Sequence, residues 1–371
     1  MSLWSRLTGA APVECSIDNC PPGTTADERD TISVIRDLSR VVKNNPDAVE
    51  TYLALGSLFR AKGELERAVQ IRESLLIRPE LAPAFKARAY FELGQDYRRA
   101  GIMDRAIQAY AEAQRLGVSR KLIDAELATL YADSGQWAKA AQYYGQIGNP
   151  TAEAHYTVRQ GEDLLASDPK DRGRVIRQAE RALKIYPASP EAWSMMIIQQ
   201  AKEDRWNTAG KSFQKALEAI APARNFMLFE ALLLVYSSPQ EKAEAKDFHK
   251  LAAETFLPVI EKRKPELAPY FYGARLLRRG GRIEEAEQWL NKLLIVQPEF
   301  WAARLLQLEI AREQYGLPPT LDSDLEFFIG QSKKLKHFVC TACGLHRDIL
   351  FYCCPRCHGW HSAAYKISLG D

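Results

Sequence analysis

Residues 87–116 read ARAYFELGQDYRRAGIMDRAIQAYAEAQRL, and the spacing inside this stretch decides the fold. Leu93-Gly94, Tyr97, Gly101, Ala106, Tyr110 and Ala113 stand at intervals that suit two antiparallel helices joined by one turn. With Gly94 counted as position 8 of a unit, the residues after it occupy positions 11, 15, 20, 24 and 27. Small residues at 8 and 20 let the helices approach closely. Large residues at 11 and 24 fill the space between them. Position 15 opens the turn, where glycine lifts steric restrictions.

The same frame recurs along the chain. Upstream it holds Leu55-Gly56, Phe59, Gly63 and Ala68 and ends near Pro79. Downstream, 34 residues after Gly94, it holds Ala128, Tyr131, Gly135, Ala140 and Tyr144. Trp193, Ile197, Asp204, Ala209, Phe213 and Ala216 form another copy, and Tyr270, Ala274, Leu277, Gly281, Ala286, Leu290 and Pro298 a late one. A 34-residue helix-turn-helix period is the tetratricopeptide (TPR) signature. Two weaker units lie between. Residues 152–187 keep Ala179, Ala182 and Pro187 without a clear first helix, and residues 223–258 are helical by periodicity but lack the small-residue positions. Proline at position 32 stops each second helix, because it has no N–H and clashes with the preceding turn. About seven repeats between 47 and 300 and a closing helix from Trp301 to Tyr315 are expected, an array spanning 47–317. The expected fold is an all-α TPR superhelix (α-solenoid) with a small C-terminal β zinc-ribbon at 337–371. Ahead of the array, residues 1–26 are expected to be disordered and 27–46 to form a leading helix. Residues 318–336, with the run Lys333-Lys334-Leu335-Lys336-His337, are expected to be a solvated linker.

Composition narrows the function classes. The 371 residues are 46% apolar and 26% charged, as in a folded soluble protein. Fifty basic against 47 acidic residues leave a net charge of +3, which offers no nucleic-acid footprint. The longest apolar stretches, such as Ala231 to Tyr236, fall far short of the roughly 20 residues of a membrane helix. The N-terminal MSLWSRLTGAAPVEC has no apolar region of signal-peptide length, so Leu3, Trp4 and Leu7 belong to a frayed tail. Seven cysteines without a secretion signal imply a reducing compartment, hence the cytoplasm. Cys15 and Cys20 have no nearby ligand partner and are taken as free thiols.

Cys340-Thr-Ala-Cys343 and Cys354-Pro-Arg-Cys357 are two C-x-x-C turns separated by ten residues. Two intervening residues let both thiolates of one turn reach a metal at about 2.3 Å, and two such turns on a hairpin complete a tetrahedral four-thiolate site. Gly344 and Gly359 supply positive φ near each turn. His337–Val339, Ile349–Tyr352 and Ala363–Ile367 are rich in β-formers and are expected to be three strands. Paired disulfides do not suit a reducing compartment, and a thioredoxin-like motif would need a βαβ setting. Cys353 breaks the spacing and is expected to pack as a small hydrophobe. His346, His358 and His361 are expected at the surface. One metal ion, zinc or iron, suits the four-cysteine site, whose closed shell leaves no open position for hydrolysis. No phosphate loop, nucleophile elbow or H-E-x-x-H is present, and acidic pairs such as Glu284-Glu285 fall on outer helix faces. No catalytic residue is assigned, and the chain is not expected to be an enzyme.

A TPR array followed by a four-cysteine ribbon resembles the lipopolysaccharide assembly protein B (LapB) family, over roughly residues 46–371. The most specific matches are Leu55 to Ala68, Leu93 to Tyr97 with Asp104-Arg105-Ala106, and the tail with Cys340 to Gly344, Phe351-Tyr352, Cys354 to Cys357 and Trp360. The resemblance implies a rubredoxin-like terminal domain that docks on the array and is structural. It implies an adaptor regulating lipopolysaccharide biosynthesis, presenting the lipid A deacetylase LpxC to the membrane protease FtsH from the inner face of the inner membrane. The family pattern opens with a membrane-spanning helix, which this sequence lacks; Cys353 is a second departure.

Three functions compete at this point. As an adaptor, the chain would bind protein partners on the concave face of the first helices, where positions 9 and 12 give Ser57, Arg60, Gln95 and Arg98 and suit an acidic or polar ligand. As an electron-transfer protein it would hold iron in the manner of rubredoxin and use the array for docking. As a zinc-ribbon nucleic-acid binder it would use Lys333 to His337, Arg347 and Arg356, which form no basic stripe. A TPR scaffold for an unrelated client is a further possibility.

Overall fold

The computed structural model describes residues 28–44, 48–168, 171–236, 242–263, 266–315, 318–332 and 337–366. The segment 1–26 and the lysine run 333–336 lie outside the described residues. Two compact units divide at Ile147/Gly148. In the first, α1 (Glu28–Asn44) precedes three hairpins: α2 (Val49–Lys62) with α3 (Leu65–Leu76), α4 (Pro83–Arg99) with α5 (Met103–Arg115), and α6 (Arg120–Asp133) with α7 (Trp137–Gln146). The second begins with α8 (Pro150–Ser167) and α9 (Arg172–Ile185), then α10 (Pro190–Lys202) and α11 (Trp206–Ala219). It continues with α12 (Asn225–Leu233) and α13 (Lys242–Glu261), then α14 (Leu267–Arg279) and α15 (Ile283–Val296). Single helices α16 (Trp301–Gln314) and α17 (Pro319–Ser332) follow, then β1 (Phe338–Cys340), β2 (His346–Arg347) and β3 (Ala363–Tyr365). The array is TPR-like, with a small terminal sheet.

The repeat grammar has direct physical causes. Position 15 is left-handed in every copy that shows the frame: Gly63, Gly101, Gly135 and Gly281 have φ of 85°, 74°, 72° and 81°. Asp204 takes the same place at φ 59°, a conformation that an L side chain adopts only at a cost. Position 8 is small because something large faces it: a Cβ on Gly94 would lie 2.5 Å from the Tyr110 ring. Prolines open α4, α8 and α10, where the missing N–H removes a donor that has no helical partner. Asn149 and Ser189 cap α8 and α10 by accepting from the amides of Ala152 and Ala192.

The two weaker units are helical, as the count of seven repeats expects; in the first, Gly161 on α8 meets Met195 of the next hairpin, so its small residue serves a contact outside its own unit. The structure departs from the sequence expectations in two places. The segment 318–336, expected as a linker, contains α17. Pro319 starts it, Arg312 of α16 ties it through Asp322 at 2.6 Å and Glu326 at 3.0 Å, and Ile329 is buried. The middle strand falls at His346–Arg347 rather than Ile349–Tyr352. The chain reverses immediately after the first cysteine turn, so Phe338 pairs Arg347 and Val339 pairs His346. Phe351 and Tyr352 are then free to pack against the helices. The sheet order is β2-β1-β3, antiparallel throughout. Among the described residues, no helix is long and apolar enough to cross a membrane.

Candidate metal centre

The four cysteine sulfurs converge. The Sγ atoms of Cys340, Cys343, Cys354 and Cys357 lie within 4.8 Å of one another. Cys340 and Cys357 are 3.6 Å apart, as are Cys343 and Cys354. Four thiolates around one ion at about 2.3 Å would sit about 3.8 Å from each other, whereas a disulfide needs about 2.05 Å. The donor set therefore fits a single tetrahedral metal ion.

The two turns are built alike. The amides of Gly344 and His358 each donate 2.9 Å back to the carbonyl of the first cysteine of their turn, Cys340 and Cys354. The amides of those two cysteines reach forward to the carbonyls of Leu345 and Gly359. This geometry needs a left-handed residue directly after the second cysteine. Gly344 provides it at φ 68°, and His358 at φ 56°. The expectation that Gly359 supplies the positive φ is corrected. Gly359 is small for another reason, since a Cβ there would stand 3.2 Å from Ser362 Oγ and 3.4 Å from Cys357 Sγ. Ser362 Oγ also lies 3.2 Å from Cys340 Sγ, and its hydroxyl donates to the Gly359 carbonyl at 3.0 Å. Cys340 and Cys354 are buried, whereas Cys357 is exposed. Cys353 stands outside the cluster, half-buried, and burial pushes its thiol up to about 11.

The loop after the fourth cysteine fastens the ribbon to the helices of the second unit. His361, expected at the surface, is 4% exposed, and its Nε2 lies 3.0 Å from both carboxylate oxygens of Glu191 on α10. His155 of α8 reaches the same carboxylate at 3.2 Å, and the Ser189 hydroxyl donates to it at 3.0 Å. Burial alone would raise the Glu191 carboxyl, but the hydrogen bonds from His155 and His361 hold it at about 2. Trp360 packs with His155 and Tyr156, at centroid distances of 5.1 and 6.0 Å. At the other end of the ribbon, Phe338 stacks on Phe226 at 5.9 Å, and Tyr365 lies among Phe271, Phe300 and His337. Phe338 and Ala363 thus belong to the same apolar cluster as the helices. Nothing in the sequence marks Glu191 as the partner of a residue 170 positions away.

The residues assigned from positions 9 and 12 prove to hold neighbouring repeats together. Ser57 donates to Glu92 at 2.8 Å, and Arg60 donates to Asp96 at 3.1 Å. Gln95 donates to Glu126 at 2.7 Å, and Arg98 to Asp133 at 2.6 Å. Glu92 and Glu126 stand at the same repeat position, 34 residues apart. Each also takes a donor from position 24 of the preceding repeat: Arg72 at 2.5 Å, and the Tyr110 hydroxyl at 3.1 Å. Arg72 is fully buried and lies 2.8 Å from Asp96 as well. Burial pushes Asp96 up to about 6 despite its arginines, while Glu92, buried but bonded by Arg72 and Ser57, stays below its usual value. The recurrence of an acidic residue at this position was the available signal.

The tetratricopeptide repeat family matches residues 51–85. A solved tetratricopeptide repeat protein from Parabacteroides merdae is 17% identical, covering 76% of this chain and 98% of that one, with a TM-score of 0.35. Lipopolysaccharide assembly protein B of Haemophilus influenzae is 23% identical over 321 residues, covering 84% of this chain and 78% of the relative. That of Escherichia coli K12 is 22% identical over 333 residues, covering 86% and 82%. The resemblance that the repeats and cysteine turns carry is therefore borne out along most of the chain: its curated relatives are lipopolysaccharide assembly protein B.

Proposed function

We propose that the chain is a non-enzymatic adaptor in the control of lipopolysaccharide assembly, its helical repeats binding protein partners and its ribbon acting as a metal-held clamp. The observation that carries the clamp is the Glu191–His361 contact, which joins the loop after the fourth cysteine to the array. A site that shuttled electrons needs no such coupling, and four thiolates leave no position for a substrate. Ser57, Arg60, Gln95 and Arg98 contribute to partner binding by fixing the spacing of successive first helices, so that the face they support is presented without flexing. By the family resemblance, the client is the lipid A deacetylase LpxC, presented to the membrane protease FtsH at the inner face of the inner membrane.

Affinity capture of the full chain from its native cells tests this reading. Co-elution of the deacetylase and the membrane protease is expected. Recovery of neither would overturn the assignment of partners. Metal analysis of the same preparation separates the clamp from a redox centre: a colourless protein with one equivalent of zinc supports the clamp, and a reversible one-electron wave from bound iron opposes it.

A further inference from the structure

A cleft of about 570 Å³ opens in the second unit where the ribbon meets α14 and α16. Its size falls within the range of about 300–1,000 Å³ typical of ligand sites. Aromatic rings line its ribbon side. Trp301 and His337 stack at 5.4 Å and 13°, and His337 continues onto Tyr365 at 6.1 Å and 6°. Phe271 and Leu305 extend the apolar lining. Two ring nitrogens in this lining, Trp301 Nε1 and His337 Nδ1, have no hydrogen-bond partner among the described residues. Burial holds the His337 imidazole below its usual value.

The charged lining is asymmetric. Arg275 is paired with Glu230 at 3.0 Å, Arg278 is forked between Glu309 and Glu313, and Arg279 donates to the Leu233 carbonyl. An incoming anion would meet guanidinium groups already engaged. On the ribbon side Asp348 is exposed and has no ion-pair partner among the described residues. The described lining therefore has three guanidinium groups against four carboxylates, with a carboxylate left over.

We propose that this cleft binds a cationic aromatic segment of a partner polypeptide, an aromatic side chain beside a lysine or arginine. The ring lies against the Trp301–His337–Tyr365 stack, where aromatic faces give an offset contact. The indole N–H of Trp301 donates to a backbone carbonyl of the segment, and the cation pairs with Asp348. Because ribbon and helices each supply part of the lining, the site exists only while the ribbon is docked. It is separate from the repeat face assigned to the client.

Calorimetric titration of the full metal-loaded chain with acetyl-Trp-Lys-Phe-amide and acetyl-Trp-Glu-Phe-amide tests the proposal. Saturable one-to-one binding of the lysine peptide is expected, tighter than the glutamate peptide by about threefold to fivefold, the scale of an exposed ion pair. Asp348→Asn should remove that preference; the position is exposed, and retained metal content checks that the variant still folds. Leu305→Trp should fill the cleft and abolish binding of both peptides. Absence of saturable binding, equal or tighter binding of the glutamate peptide, or an unchanged preference in Asp348→Asn would each overturn it.

Discussion

The unit ending at Ile147 and the unit beginning at Gly148 use the same hairpin but hold it together by different chemistry. In the first, neighbouring repeats are tied by charge: Arg72, Glu92 and Asp96 are all buried, and Glu126 repeats the arrangement one unit on. In the second, rings are added to such pairs as Arg275–Glu230 and Arg278–Glu309. Phe213 stacks on Phe256 at 4.5 Å, Phe229 on Tyr272 at 5.7 Å, and the ribbon adds Phe338 and Tyr365 to the set. A buried ion network fixes which groups must face each other, whereas apolar rings tolerate exchange of shape at constant volume. The first unit thus gains register from specific partners. The second shares its apolar cluster with the ribbon, through Phe338 and Ala363.

The largest break in this contrast should come from the cysteines. Cys354→Ser removes a buried sulfur from the four-thiolate set, and a ribbon of this size has little core of its own. Structural zinc contributes on the order of 10 kcal/mol to the folding of comparable modules. Loss of bound metal and loss of amide-exchange protection across 337–366 are expected, spreading to α8 and α10 through His155 and Glu191. Protection within α2 to α5 should remain. If the α2–α5 amides lose protection equally, the two units are not held independently.

Arg72→Ala is the counterpart in the first unit. It leaves Glu92 and Asp96 buried without their main cation, a change that costs about 3–5 kcal/mol. Exchange protection should fall in α2 to α5 while metal content stays at that of the parent chain. A loss below about 1 kcal/mol in denaturant unfolding, far short of a buried pair's usual cost, would show that water reaches the two carboxylates and that the network is not what sets the register.

Legibility in the sequence followed the same divide. The hairpins could be read wherever a local steric rule dictated the residue: Gly101 at a left-handed turn, Gly94 under Tyr110, a proline where a helix starts or stops. The cysteines were equally legible, because metal geometry fixes the two-residue spacing. Asp204 shows the limit of such rules, since it takes the glycine conformation without being glycine. What the sequence concealed was pairing at a distance. Ser57 and Arg60 have the look of surface residues until Glu92 and Asp96 are brought opposite them, 35 and 36 positions on. His361 was hidden more deeply, because docking against Glu191 depends on a tertiary approach that no periodicity encodes. The segment 318–336 was misjudged because its helix is anchored by Arg312 from outside rather than by its own pattern.

Glu191 offers the finest test of the contrast, because it sets a buried charge, the chemistry typical of the first unit, in the aromatic surroundings of the second. Its carboxyl sits at about 2 in the folded chain against an ordinary 4.5. A lowered folded value means stability that is fully present above the ordinary range and is lost as the pH falls from about 4.5 toward 2. The shift corresponds to something on the order of 3 kcal/mol. Glu191→Gln keeps the shape and removes the charge, so at pH 7 it should cost about 2–3 kcal/mol, the scale of charge-assisted hydrogen bonds. Denaturant unfolding of both chains between about pH 7 and pH 3 should show the gap narrowing below about pH 4.5, as the parent carboxylate takes up its proton. A gap that stays constant across that window would mean that the ring contacts of Trp360 and Tyr352 hold the ribbon, and that the Glu191 charge facing His361 adds nothing to docking.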